Sequence, residues 1–123
     1  MRVLIADDSE VFVQRLVAML TEVDGVEIVG RAGSVAEAAE AVRHLKPDVL
    51  ILDIRMPGGS GIDVLQGMKT DSVSPIVVML TNYAYSQYRK ECLKLGASFF
   101  FDKSADFEKV GEAIQSLIRD GAA

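Results

Sequence analysis

The chain has 123 residues, the length of one domain that can bury a sizeable core without a disulfide or a structural metal. Its composition, 50% hydrophobic and 25% charged, is that of a globular chain and excludes a disordered or collagen-like one. A net charge of −5 disfavours binding of nucleic acid or an anionic membrane by this chain alone, and the single cysteine, Cys92, excludes an internal disulfide framework and suits a reducing cytoplasm. The start, Met1 to Asp8, is too short in apolar residues and too soon acidic for a signal peptide. No apolar stretch reaches the roughly 18 residues a membrane helix needs.

Strand-like apolar runs alternate with segments of helical period. The first strand is Arg2 to Ala6. Ser9 is an N-cap for a first helix running to about Glu22, with Phe12, Leu16, Met19 and Val23 at helical spacing. Asp24-Gly25 marks a turn into a second strand, Val26 to Ala32. Ser34-Val35-Ala36-Glu37 reads as a capping box. It opens a helix carrying Ala38, Ala41, Val42 and Leu45 and stopping before Pro47. Val49 to Leu52 is an unbroken apolar strand that ends at Asp53, and Met56 to Gly61 is a loop by its turn chemistry. A third helix, Ile62 to about Thr70, precedes a fourth strand, Ile76 to Leu80, which ends at Thr81. The fourth helix is read from about Tyr83 to Leu95, with Gly96 as its stop. The fifth strand is Ala97 to Asp102, and Ser104 can cap a fifth helix with Phe107, Val110, Ile114, Leu117 and Ile118 on its inner face.

Five βα units of this kind predict an α/β fold. Strands one, three and four are apolar on both faces, as in a parallel sheet covered by helices on each side. Right-handed crossovers then give a doubly wound five-stranded parallel sheet in the order 2-1-3-4-5, with its switch point between strands one and three.

Ligands of such sheets bind beyond the carboxyl ends of the strands, near the switch point. Strand one delivers Asp7 and Asp8 there, strand three Asp53, strand four Thr81 and strand five Lys103. Taken singly, each has a plain role: turn or capping acids for Asp7, Asp8 and Asp53, a helix cap for Thr81, a surface lysine for Lys103. Their joint placement is what carries chemistry. Three carboxylates at neighbouring strand ends repel, so either one stays protonated or a cation joins them. An all-oxygen donor set selects Mg2+, or Mn2+, over zinc or copper. A lysine and a hydroxyl on the remaining sides suit a phosphoryl group, and a carboxylate can accept one as an aspartyl phosphate.

This constellation resembles the receiver domain of two-component response regulators, the CheY-like family. The matching residues are Asp7-Asp8-Ser9, Asp53-Ile54-Arg55-Met56-Pro57-Gly58, Gly61, Thr81, Gly96-Ala97 and Lys103, in order along essentially the whole chain. The resemblance implies a flavodoxin-like (βα)5 fold with Asp53 as phosphoacceptor. It implies Asp8 as a direct Mg2+ ligand, Asp7 as a ligand through water, and the backbone carbonyl of Arg55 as a further ligand. Thr81 would hydrogen-bond the phosphoryl group and Lys103 would pair with it. Thr81 and Phe100 would be the switch residues, moving together when phosphate biases a two-state element. The phosphodonor would be a sensor histidine kinase or a histidine phosphotransfer protein, or a small molecule such as acetyl phosphate. Output would be a protein contact through the face of helix four, strand five and helix five, as a monomer or weak dimer, in the cytoplasm.

Three departures from the family pattern stand out. Ser104 follows Lys103 where the family usually has proline with a cis bond; cis costs about 3–4 kcal/mol without proline against roughly 0.5–1 with it. Phe100 lacks the hydroxyl of the more usual tyrosine. Arg55 and Tyr83, two residues after Asp53 and Thr81, are bulky where the family tunes hydrolysis, so autodephosphorylation is expected to be slow. Tyr83, Tyr85 and Tyr88 cluster at the start of helix four, as a partner-binding surface or as ordinary amphipathic packing; His44 reads as solvent-facing and Cys92 as buried filler. Helix five ends near Arg119, leaving only Asp120 to Ala123, so the expectation is a stand-alone receiver over 1–123 that catalyses no more than its own phosphorylation and dephosphorylation. The alternatives are the receiver part of a larger transcriptional regulator, or a Mg2+-dependent small-molecule phosphatase. Against the latter, Arg55 occupies the position where such hydrolases usually keep a second acid. A dinucleotide-binding domain fails on the first turn, Asp7-Asp8-Ser9, which is not Gly-x-Gly-x-x-Gly.

Overall fold

In a computed structural model the chain is described over residues 1–71 and 75–121; Ala122 and Ala123, named above with the C-terminal end, lie outside the described residues. The elements run β1 (Arg2–Ala6), α1 (Glu10–Leu20), β2 (Glu27–Ala32), α2 (Val35–Leu45), β3 (Val49–Leu52), β4 (Arg55–Met56), β5 (Gly59–Ser60), α3 (Gly61–Asp71), β6 (Ile76–Thr81), α4 (Ser86–Lys94), β7 (Phe99–Asp102) and α5 (Phe107–Arg119). The main sheet is parallel in the order β2-β1-β3-β6-β7, which is the expected 2-1-3-4-5 once the two-residue hairpin β4-β5 is set aside.

Alternation along the buried strands sorts the core into two layers. Leu4, Leu50, Leu52, Val77, Met79 and Phe100 point to one face and pack with Ala38 and Val42 of α2, Val64, Leu65 and Met68 of α3 and Cys92 of α4. Val3, Ile5, Val49, Ile51, Val78 and Leu80 point to the other and meet Val13, Leu16 and Leu20 of α1 and Val110 and Ile114 of α5. A strand buried on both faces has no polar side to show, which is why these runs read as unbroken apolar sequence. Burial pushes the Cys92 thiol up to about 11, so it is inert filler, as expected. His44 is exposed beside Glu40.

The caps explain the element starts. Ser9 Oγ accepts from the Phe12 amide at 3.3 Å and Ser34 Oγ from the Glu37 amide at 3.2 Å. Glu37 reaches back to the Gly33 amide at 2.8 Å, one residue before the usual capping-box partner.

Several boundaries differ from the sequence reading. Helix α1 ends at Leu20, two residues early, because Glu22 and Val23 bond back to Met19 and Leu20 in turns. The Met56–Gly61 loop contains the β4-β5 hairpin, and Gly61 already belongs to α3. Strand β7 starts at Phe99 instead of Ala97. Helix α4 begins at Ser86, not Tyr83: the Tyr83 amide is held by Thr81 Oγ1 at 3.0 Å and the Tyr85 amide by the Tyr83 carbonyl at 2.8 Å, so the chain turns before it coils. Thr81 is therefore no cap for α4; Tyr85 occupies that position. Nor does Ser104 cap α5. The Asp102 carboxylate takes the amides of Ser104 and Ala105 at 2.8 and 3.1 Å, and the helix starts after Asp106. Among the described residues no cis peptide bond occurs, Lys103–Ser104 included.

Candidate functional site

Asp7, Asp53, Thr81 and Lys103 are all buried, although each is polar. Buried charges need partners, and these find one another at the carboxyl edge of the sheet. Lys103 Nζ lies 2.7 Å from Asp7 Oδ2 and 3.0 Å from Asp53 Oδ2. The second oxygen of each acid is held by backbone: Asp7 Oδ1 accepts from the Ser9 amide at 2.8 Å, and Asp53 Oδ1 from the Ile54 amide at 2.7 Å. The strand ends supply the frame, since the Asp53 amide donates to the Ala6 carbonyl at 3.0 Å and the Lys103 amide to the Thr81 carbonyl at 3.0 Å.

Asp8 is exposed beside this pair. One carboxylate oxygen each from Asp7, Asp8 and Asp53 lies within 4.8 Å of the others. Three acids against one lysine leave an excess of negative charge in a partly desolvated place. Burial pushes the Asp53 carboxyl above its ordinary range, and Lys103 pulls it only part of the way back. Burial alone would lower Lys103, but hydrogen bonds and charge from Asp7 and Asp53 outweigh it and hold the ammonium protonated. An all-oxygen cluster carrying this charge fits a hard divalent cation such as Mg2+ and does not fit a thiophilic one.

A cavity of about 430 Å3 borders the cluster at Asp8 and is lined also by Ile54, Arg55, Met56, Ile62 and Tyr88. The Arg55 guanidinium stacks 4.2 Å from the centre of the Tyr83 ring, so the two bulky residues flagged in the sequence meet. Tyr83, Tyr85 and Tyr88 form a contiguous aromatic run, with ring centres 6.3 and 5.7 Å apart. Thr81 is fully buried. Phe100 stands apart from the acid cluster, on the α2/α3/α4 side of the sheet, with its ring buried and its carbonyl accepting from Arg89 Nη1 at 3.3 Å.

Two residues gain a role that sequence reading did not assign. A Cβ on Gly61 would overlap the Asp53 carbonyl oxygen and stand 3.1 Å from Leu52 Cγ, so only glycine lets α3 start against the strand that carries Asp53. Its amide donates to the Ile54 carbonyl at 2.6 Å. Phe12, read only as a helix-period apolar residue, places its ring centre 4.4 Å from Lys103 Nζ. For Gly61 the signal was a glycine just past a Gly-Gly-Ser turn; for Phe12 no local signal existed.

A doubly wound sheet with three acids and a buried lysine at its switch point defines a phosphoryl- or cation-handling α/β domain. The sequence profile of the response regulator receiver domain matches residues 3–115, and the chain belongs to that family. An uncharacterised response regulatory protein of Vibrio cholerae is 34% identical over 116 residues, 94% of this chain and 48% of that protein. The chain spans about half the length of the curated relatives it matches. Among solved structures, the response regulator domain of Thermotoga maritima CheB superposes with a TM-score of 0.84 at 30% identity, covering 98% of this chain and 94% of that one. CheY in a CheX-CheY-BeF3-Mg2+ complex of Borrelia burgdorferi gives a TM-score of 0.83 at 32% identity, covering 96% and 89%. Receiver domains are signalling domains of two-component systems that work through phosphorylation, interact with histidine kinases or phosphotransfer proteins and with downstream targets, and generally bind Mg2+ in an acidic pocket. Among the described residues no helix is long and apolar enough to cross a membrane.

Proposed function

We propose that the chain is a phosphorylation-driven switch in which Asp53 accepts a phosphoryl group from a phosphohistidine donor and the resulting state is read by a partner protein. The observation that carries this reading is the shared ammonium: Lys103 Nζ bonds Asp7 and Asp53 at once, in a cluster that Asp8 completes. Asp53 ends the central strand β3 and offers a carboxylate oxygen to phosphorus. The O–P bond forms as the P–N bond to the donor histidine breaks, and the imidazole leaves with the electron pair. Lys103 then balances charge on the transferred group, and Thr81, whose Oγ1 now accepts from the Tyr83 amide, turns to donate to it. Asp7, Asp8, Asp53 and the Arg55 carbonyl would hold Mg2+, which when bound neutralises charge on the phosphoryl oxygens.

Moving Thr81 releases the turn that fixes Tyr83 and delays α4. That couples the site to the α4, β7 and α5 face, where Phe100 and Arg89 already join α4 to β7. Output is proposed through that face, with Thr81 and Phe100 as the moving parts. The Arg55–Tyr83 cover restricts water at the phosphoryl group, so the phosphorylated state is long-lived.

Incubation with Mg2+ and acetyl phosphate tests the reading by intact mass. One phosphoryl group should add to the wild type and none to Asp53→Asn. Continuous turnover of small phosphate esters without a stable adduct would instead mark a phosphatase and end this reading.

A further inference from the structure

We propose that Phe12 is a positioning residue for Lys103, holding the ammonium over Asp7 and Asp53 through its ring. This deepens the switch reading and rests on it. An ammonium has three donors and a flexible four-carbon stem. One donor ends on Asp53 Oδ2 at 3.0 Å, and Asp7 Oδ2 pairs with the ammonium at 2.7 Å. The Phe12 ring centre lies 4.4 Å from Nζ, where the negative face of the ring attracts the charge.

The ring is itself braced. Phe107, the first residue of α5, meets it edge to face, with centres 5.7 Å apart and planes at 79°. The Arg15 guanidinium lies 3.9 Å from the centre of the Phe107 ring. Lys103, Phe12, Phe107 and Arg15 thus form one column that ties the β7–α5 loop to α1. Phe12 is half-buried and Val11 beside it is exposed, so this turn of α1 lies at the edge of the core. A cavity of about 300 Å3, lined by Phe12, Arg15, Asn82 and Ser104, reaches Lys103 from this side. Shortening the ring would widen it toward Nζ, admit water and free the lysine stem.

The test uses Phe12→Leu, Phe12→Tyr and, as a core control on the same layer, Ile114→Val. Each is measured for the rate constant of phosphorylation by saturating acetyl phosphate, for beryllofluoride affinity by fluorine NMR, for Mg2+ affinity and for melting temperature. Phe12→Leu should lose about tenfold in both the rate constant and beryllofluoride affinity while Mg2+ affinity does not fall, because the carboxylate ligands remain and a freed ammonium competes with the metal less. Phe12→Tyr, which keeps the aromatic face, should recover most of the loss, and Ile114→Val should show none of it. A Phe12→Leu protein within about twofold of wild type overturns the proposal. So does a parallel fall in Mg2+ affinity, or an equal loss in Ile114→Val, since either would mean general loosening. If wild type takes up neither phosphoryl group nor beryllofluoride, or Asp53→Asn takes up as much, the switch reading itself falls and this proposal with it.

Discussion

Helix α3 contains two glycines that meet opposite surroundings, and the same substitution should act on them with opposite sign. At Gly61 an added Cβ overlaps the Asp53 carbonyl oxygen, stands 3.0 Å from the Asp53 carbonyl carbon and 3.1 Å from Leu52 Cγ. None of these can yield by a rotamer change, because two are backbone and Leu52 is fully buried. Relief needs a backbone shift at the start of α3 or at Asp53 itself. Overpacking costs about 1–3 kcal/mol, occasionally more, and a backbone obstacle puts Gly61→Ala at about 3 kcal/mol. At roughly 4 °C per kcal/mol for a domain this size, melting should fall by about 12 °C. At Gly67 nothing lies within 4 Å of the added Cβ, and the helix gains a better former. Gly67→Ala should stabilise by about 0.5–1 kcal/mol, or roughly 2–4 °C. Urea unfolding of both variants with a common slope measures the difference, and beryllofluoride titration reads the effect on the site. Gly61→Ala should weaken beryllofluoride binding and Gly67→Ala should not. A Gly61→Ala loss below about 1 kcal/mol, or both variants moving the same way, would refute the reasoning.

The capping corrections give a second contrast: Ser9→Ala should cost about 1 kcal/mol by freeing the Phe12 amide, while Ser104→Ala, whose hydroxyl caps nothing in α5, should stay within about 0.5 kcal/mol of wild type in the same denaturation assay. Burial raises the folded-state carboxyl of Asp53 above its unfolded value, so this group's stabilising contribution is present at low pH and is lost as pH rises through the folded pKa. Asp53→Asn should therefore melt higher than wild type at neutral pH in EDTA, with the gap closing on acidification below about pH 4; melting curves across that interval decide it, and a variant no more stable at neutral pH sinks the argument. Mg2+ should raise the melting temperature of wild type more than that of Asp53→Asn, since one oxygen donor is lost. Arg55→Asn combined with Tyr83→Ala should shorten the life of the aspartyl phosphate several-fold in an intact-mass decay series; an unchanged decay would show that the stacked cover does not restrict water.

How much was readable depended on whether the cause was local. Strand cores such as Val49 to Leu52 and the caps at Ser9 and Ser34 were legible because hydrophobic period and cap chemistry act within a few residues. The acids were legible as a set because strand ends in a parallel sheet converge, so Asp7, Asp8, Asp53 and Lys103 could be placed together from topology alone. The starts of α4 and α5 were not. Each is decided by a turn in which side chains compete for backbone amides, Thr81 for Tyr83 and Asp102 for Ser104 and Ala105, and helical spacing is silent on that competition.

The amino-acid sequence by itself determined the class of fold and the oxygen-rich chemistry at the strand ends, because these follow from periodicity, turn residues and residue type, and the expected strand order is one of the common doubly wound orders that right-handed crossovers allow. Tertiary structure alone decided the rest. It chose which acids share the lysine, set Arg55 on Tyr83, put Phe12 against Lys103 and pressed Gly61 on the carbonyl of Asp53. Except for Gly61 against Asp53, these are contacts between segments far apart in the chain, and all their distances depend on how helices seat on a twisted sheet, a packing outcome that helical or strand period does not contain.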